Sequence, residues 1–171
     1  MKKLTILIAL LLVVGFSTNA FAQASVTATA STTATIVTPI GISKTVDMNF
    51  GNIATSAAVG TVTLSTAGVR TPSGGVTLPA ASGSPTAASF AVTGSGTYTY
   101  TIALPASPIT LAGTTAGVTV GTFVSNPSGT GTLTAGAQTV LVGATLNLPV
   151  STAAGAYVNN SGGLSVTVNY N

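Results

Sequence analysis

Histidine, cysteine, tryptophan and glutamate are absent from this chain, and Asp47 is its single acidic residue. General acid-base and nucleophilic catalysis require titratable groups within hydrogen-bond reach of one another, with a histidine or second carboxylate to move the proton. A glycosidase needs two carboxylates flanking the scissile bond. Zinc and transition-metal sites need several His, Cys or carboxylate ligands converging on one point. The expectation is therefore a non-enzymatic protein with no catalytic residues, no cofactor and no metal, a body that packs, binds or assembles.

Charge is nearly as scarce. The chain has four basic residues, Lys2, Lys3, Lys44 and Arg70. Without its first 22 residues it keeps only Lys44, Asp47 and Arg70. Two isolated cations cannot displace counterions along a phosphate backbone, so no nucleic-acid partner is expected. An anionic membrane surface is an equally poor match. A net charge near zero removes the repulsion that keeps soluble proteins apart, which favours self-association.

What is present begins with an export signal over residues 1–22. Lys2 and Lys3 form the positive start, residues 4–16 form an apolar run too short for a membrane span of about 20 residues, and Ala20-Phe21-Ala22 supplies the small residues of a cleavage site. Cleavage between Ala22 and Gln23 is expected. An uncleaved anchor is the rival, but no basic segment follows to stop transfer. The expected product passes through the periplasm to the cell surface or medium, with no membrane insertion of the mature chain. Residues 23–36 read as an N-terminal extension or first strand, and residues 37–171 as one domain, long enough to bury a core without staples.

Thr, Val, Ala, Gly and Ser dominate this domain, and helix-favouring charged residues are nearly absent. Alternation with a period of two recurs along it. Within residues 25–36 the even positions are Val26, Ala28, Ala30, Thr32, Ala34 and Ile36, and every odd one is Ser or Thr. Val46, Met48 and Phe50 alternate up to Gly51, and Val62 and Leu64 stand between threonines. Phe90 and Val92 precede a turn at Gly94-Ser95-Gly96, and Tyr98, Tyr100, Ile102 and Leu104 follow, a pattern read as a hairpin. Val118, Val120 and Phe123 suggest another strand before the Asn126-Pro127-Ser128-Gly129 turn. Val140, Val142, Leu146, Leu148 and Val150 give either one bent strand or a tight hairpin around Gly143. Leu164, Val166, Val168 and Tyr170 close the chain. Eight to ten short strands at this spacing imply an all-β, immunoglobulin-like antiparallel β-sandwich.

Four segments carry a family resemblance: residues 34–51 (ATIVTPIGISKTVDMNFG), 60–64 (GTVTL), 154–157 (AGAY) and 164–171 (LSVTVNYN). Together they resemble a secreted bacterial family known as domain of unknown function 4402, over essentially the whole mature chain. More distantly, the early Asn-Phe-Gly turn and the Gly-x-Tyr before a terminal alternating strand resemble spore-coat-U type and archaic chaperone-usher pilins. This second resemblance implies an incomplete sandwich that polymerises by exchanging an N-terminal strand, a fimbria-like subunit handled by a periplasmic chaperone. The disulfide that many pilins carry is missing.

Two segments then become candidate sites. Val26, Ala28, Ala30, Ala34 and Ile36 could enter a neighbour's groove as a donor strand by β-augmentation, or could be an ordinary first strand of their own sandwich. Their alanines bury little area, well below the ~1.5–3 kcal/mol of a buried Val or Leu. Leu164, Val166, Val168 and Tyr170 would border the groove and meet the chaperone, or simply form the last strand. Soluble sandwiches guard their edges with Lys, Pro or bulges, and this chain has little charge for the purpose, which favours assembly over a non-assembling surface monomer. A glycan- or ice-binding module is the other alternative, because threonine-rich strand faces can lie against sugar rings or ordered water.

Smaller patterns point to no site. Ser43 and Lys44 face opposite sides of a strand and cannot form a dyad. Lys44 and Asp47 suit an exposed ion pair better than an isopeptide bond. Asp47-Met48-Asn49 lacks the further oxygen ligands of a calcium loop. Asn159-Asn160-Ser161 is a formal glycosylation sequon that reads as a polar loop.

Overall fold

In a computed structural model of the chain, residues 25–159 and 163–171 are described. The expected signal and its Ala22/Gln23 cleavage point lie outside them. The chain divides into two units, Met1–Thr35 and Ile36–Asn171. In the first, residues 25–35 form no strand and are all exposed, so the alternation across residues 25–36 does not appear as a strand.

The second unit is all-β, and no helix occurs among the described residues. Its strands are β1 (Gly41–Val46), β2 (Ala54–Leu64), β3 (Arg70–Thr77), β4 (Ala88–Thr93), β5 (Thr99–Ala103), β6 (Ile109–Thr110), β7 (Thr119–Asn126), β8 (Thr130–Thr132), β9 (Ala137–Leu148) and β10 (Thr167–Tyr170). A seven-stranded sheet runs β1-β4-β9-β2-β3, with β7 and β6 joined through β9, and a three-stranded sheet runs β10-β5-β8. The pairings between these strands are antiparallel throughout.

Strand β9 organises the large sheet. One of its edges pairs with β4 over residues 137–142 and with β2 over residues 144–148, while the other pairs with β7. The change of partner falls at Gly143, where a Cβ would collide with the Leu64 carbonyl. Residues 137–148 are thus one continuous strand, not a hairpin, and Gly143 gives room for the end of β2.

Two apolar clusters follow from this layout. The first joins both sheets: Phe90 and Val92 of β4 and Val140 and Val142 of β9 pack with Tyr100 and Ile102 of β5 and Val168 of β10. The second lies under the other half of the large sheet and includes Val62, Val76, Val120 and Leu146. Loop residues Phe50, Ile53, Leu111 and Tyr157 pack against it. Met48 and Phe123 touch both clusters. The result is a β-sandwich over one half and a loop-covered sheet over the other.

Several expectations need correction. Strand β1 ends at Val46, and beyond it the alternation continues only as a single antiparallel bridge between Asn49 and Thr86, after which the Asn49 side chain accepts from the Gly51 amide at 2.8 Å and the chain turns. Gly94-Ser95-Gly96 is not a hairpin turn: β4 belongs to the large sheet and β5 to the small one, so the turn crosses between layers. The strand expected over residues 164–170 is shorter, since only Thr167–Tyr170 joins a ladder. Strand β3 carried no alternation signal because Pro72, Gly74 and Gly75 interrupt it. It pairs with β2 alone, and an edge position tolerates the missing proline donor.

Candidate functional site

The two sheets leave an opening on one side, between β1 and the chain that leads into β10. Strand β1 pairs only with β4, and β10 pairs only with β5, so each presents a free edge. Between β1 and the segment at Gly163 and Leu164, ahead of β10, lies a cleft of about 180 Å³. Lys44, Val46, Asp47 and Met48 line it on the β1 side, Gly163 and Leu164 on the other, with Ala88 and Phe90 of β4 completing it. Ile40, Ile42, Leu164 and Val166 are half-buried against the first cluster. An apolar strip with one side still open to water is what a further strand would cover.

Of the candidates on the last strand, Leu164 lines this cleft. Val168 is buried, while Leu164, Val166 and Tyr170 are half-buried, and all four pack on the first cluster. Tyr170 also fastens the end of the opening. Its hydroxyl donates to the Thr38 carbonyl at 2.9 Å and accepts from the Ser95 amide at 2.7 Å. The ring lies tilted on Tyr98, centroids 5.7 Å apart. A Cβ on Gly94 would strike that hydroxyl, so only glycine allows this contact.

The candidates in the first segment are placed differently. Val26 is 93% exposed and Ile36 96%, and Ala28, Ala30 and Ala34 are exposed as well.

Charge at the opening is confined to the β1 side. Lys44 Nζ donates to Asp47 Oδ1 at 2.6 Å in an exposed ion pair, as the sequence suggests. Such a pair contributes under ~1 kcal/mol, and an edge lysine also discourages indiscriminate strand pairing. Residues 163–171 carry no charge.

Two clasps hold the surrounding loops. Arg70 Nη1 donates to the Phe50 and Asn52 carbonyls, both at 2.8 Å, which locks the turn around Gly51 (φ 69°). Tyr157 Oη donates to the Ala153 carbonyl at 2.8 Å and accepts from the Thr115 amide at 3.1 Å, so a single phenol ties two loops together. Hydrogen bonding with Thr114 and then Thr115 lowers the Tyr157 phenol from its ordinary 10.0. Burial instead raises Tyr100, whose hydroxyl donates to Gln138 Oε1 at 2.6 Å.

Sequence reasoning did not identify the packing of Ile40 and Ile42 on the first cluster, nor the roles of Arg70 and of the Tyr170 hydroxyl. A weak signal existed, since Ile40 and Ile42 continue the even-numbered phase up to Lys44. The hydroxyl contacts depend on which loops meet at the end of the sandwich, and no local pattern encodes that.

No curated protein and no solved structure matches the chain. The family described as Domain of unknown function (DUF4402) matches residues 40–170, a span that holds the cleft, both clasps and all ten strands. The chain belongs to that family.

Proposed function

We propose that this protein is an exported, non-enzymatic structural subunit of the cell surface, and that copies assemble into a fimbria-like filament by β-strand donation. Residues 25–36 of one copy enter the β1/β10 opening of the next and add a strand to a free edge. Residues 1–22 direct export, and before assembly the opening is the place for a periplasmic chaperone.

The observation that carries this reading is the pairing of a surplus with a deficit. Residues 25–36 have apolar side chains at five of six even positions and are exposed without forming a strand, while the sandwich has, beside the unpaired β1 edge, a cleft lined by Val46, Met48, Ala88, Phe90 and Leu164 with Lys44 and Asp47 at its side. Strand addition satisfies both, because backbone hydrogen bonds supply affinity and alternate side chains enter the cleft. Small side chains suit the entry. Alanines need little width, and Val26 and Ile36 supply apolar area at the two ends.

The test is size-exclusion chromatography with electron microscopy on the chain from Gln23 and on a version starting at Val37. Oligomers or filaments from the first, and a folded monomer from the second, are expected. A longer chain that stays monomeric at high concentration, with a shorter one that unfolds, would make residues 25–36 an internal strand of a monomeric surface protein.

A further inference from the structure

The outward face of the large sheet has an order that composition alone does not reveal. Strand register places Ser73, Thr61, Asn147, Thr119 and Thr110 side by side across β3, β2, β9, β7 and β6. A second row sets Thr71, Thr63 and Thr145 beside it. These residues alternate with Val62, Val120 and Leu146 of the second cluster, so their side chains point away from the core. Direct contacts support the shared face: Thr63 Oγ1 and Thr145 Oγ1 lie 3.2 Å apart, and Asn147 Nδ2 donates to Thr119 Oγ1 at 3.5 Å. With neighbouring strands about 4.8 Å apart, the first row is about 19 Å long. One end opens into a depression of about 410 Å³, where Thr61, Ser73 and Asn147 meet Val59, Leu148 and Pro149.

We infer that this face binds a neutral, hydroxyl-rich glycan chain laid along the first row, with one sugar ring in the depression. The charge pattern selects neutrality. All three charged side chains among the described residues are engaged elsewhere: Lys44 pairs with Asp47, and Arg70 is opposite Leu64 in the register and clasps the 50–52 turn. A row of hydroxyl and amide groups can both donate to and accept from sugar hydroxyls. The depression's mixture of polar groups and apolar Val59, Leu148 and Pro149 matches a ring with hydroxyl edges and C–H faces. Ice fits less well, because a sheet twisting by about 20–25° per strand cannot stay in register with a planar lattice, whereas a chain molecule follows one row. With no aromatic platform in the row, single-site affinity is weak, and a repeated surface display gains through multivalency.

The face belongs to the sandwich itself and does not depend on strand donation. Frontal affinity chromatography on the immobilised chain reads binding copy by copy, whether or not the protein assembles. The probes are hexasaccharides of β-1,4-glucose, α-1,4-glucose and β-1,4-mannose, with a sulfated hexasaccharide for comparison. At least one neutral probe is retained and the sulfated one is not. Thr61→Val and Thr119→Val keep shape and β-branching but lose a hydrogen-bonding hydroxyl, and each weakens retention about 3- to 10-fold. Thr130→Val, on β8 of the other sheet, leaves it unchanged. Failure to retain any neutral probe, equal retention by the Thr61 and Thr119 variants, preference for the sulfated probe, or inhibition of ice recrystallisation in place of sugar binding would each overturn the assignment. None of these results bears on whether filaments form.

Discussion

Residues 25–36 and residues 164–170 share a rhythm and differ in payload. Both place apolar side chains at even positions, but the first set is mostly alanine and the second is Leu164, Val166, Val168 and Tyr170. The second set is buried or half-buried on the first cluster, and the first is exposed. Period decides which side chains share a face; size decides whether that face is held. Burying a Val or Leu yields about 1.5–3 kcal/mol, and an alanine methyl far less, so a mostly alanine strand cannot repay the entropy of ordering its backbone by side-chain burial alone. In the proposed assembly, backbone hydrogen bonds to the unpaired β1 edge would add to that burial and order it.

The sharpest way to break this comparison is a pair of substitutions, one in each region. Ala30→Asp places a charge where the proposed donor strand would pack on Ala88, Phe90 and Leu164, so assembly is lost while the stability of the isolated unit stays within about 0.5 kcal/mol. Val168→Ala does the reverse, costing about 2 kcal/mol of folding stability in urea denaturation. If Ala30→Asp destabilises the monomer as much as Val168→Ala does, the two regions play the same structural role.

A smaller effect is expected at the hydroxyl that closes the end of the opening. Tyr170→Phe removes the bonds to Thr38 and Ser95 but keeps the ring against Tyr98. Its expected cost is about 1–2 kcal/mol, read from the denaturation midpoint. A change near zero would mean that water replaces the hydroxyl at no cost.

Smaller still is a pH effect from Tyr100. Burial raises its phenol above the ordinary 10.0, so the unfolded chain ionises first as pH rises. The contribution is fully present below about pH 10 and is lost as pH climbs through the folded value. Tyr157 is shifted the opposite way, so the comparison of parent with Tyr100→Phe isolates the Tyr100 part. The parent should lose more stability than the variant between pH 10 and higher alkaline pH in thermal melts. The smallest effect belongs to Asp47→Asn. Its exposed ion pair with Lys44 contributes under ~1 kcal/mol, and 1 M salt should erase the difference from the parent.

Much of the fold was legible because burial writes a period of two into the chain. Strands β2, β4, β5, β7, β9 and β10 were each marked by alternating Val, Leu, Ile, Phe or Tyr. Periodicity names faces but not partners, so β4 and β5 read as a hairpin although they lie in different sheets. Strand β3 was hidden by Pro72, Gly74 and Gly75, residues that an edge tolerates and a central strand does not. Strands β6 and β8, with two and three residues, are too short to show a period. Leu164, Val166, Val168 and Tyr170 were legible as one face, while the packing of Ile40, Ile42 and Met48 on the same cluster emerged only from the topology. The hydroxyl rows were visible as threonine enrichment, but their alignment across five strands depends on register, which turn geometry and core packing set jointly.

The chain has no cysteine, so introduced pairs report contacts without background. The most direct measurement mixes one copy carrying Ala28→Cys, Ala30→Cys or Ala34→Cys with another carrying Leu164→Cys, under oxidising conditions and at assembly concentration. Donation between copies predicts disulfide-linked dimers of the two variants for at least one of the three pairs, and none when each variant is oxidised alone. Filaments that form with no such cross-link from any pair, or a double variant that closes its disulfide within one chain at high dilution, would contradict strand donation.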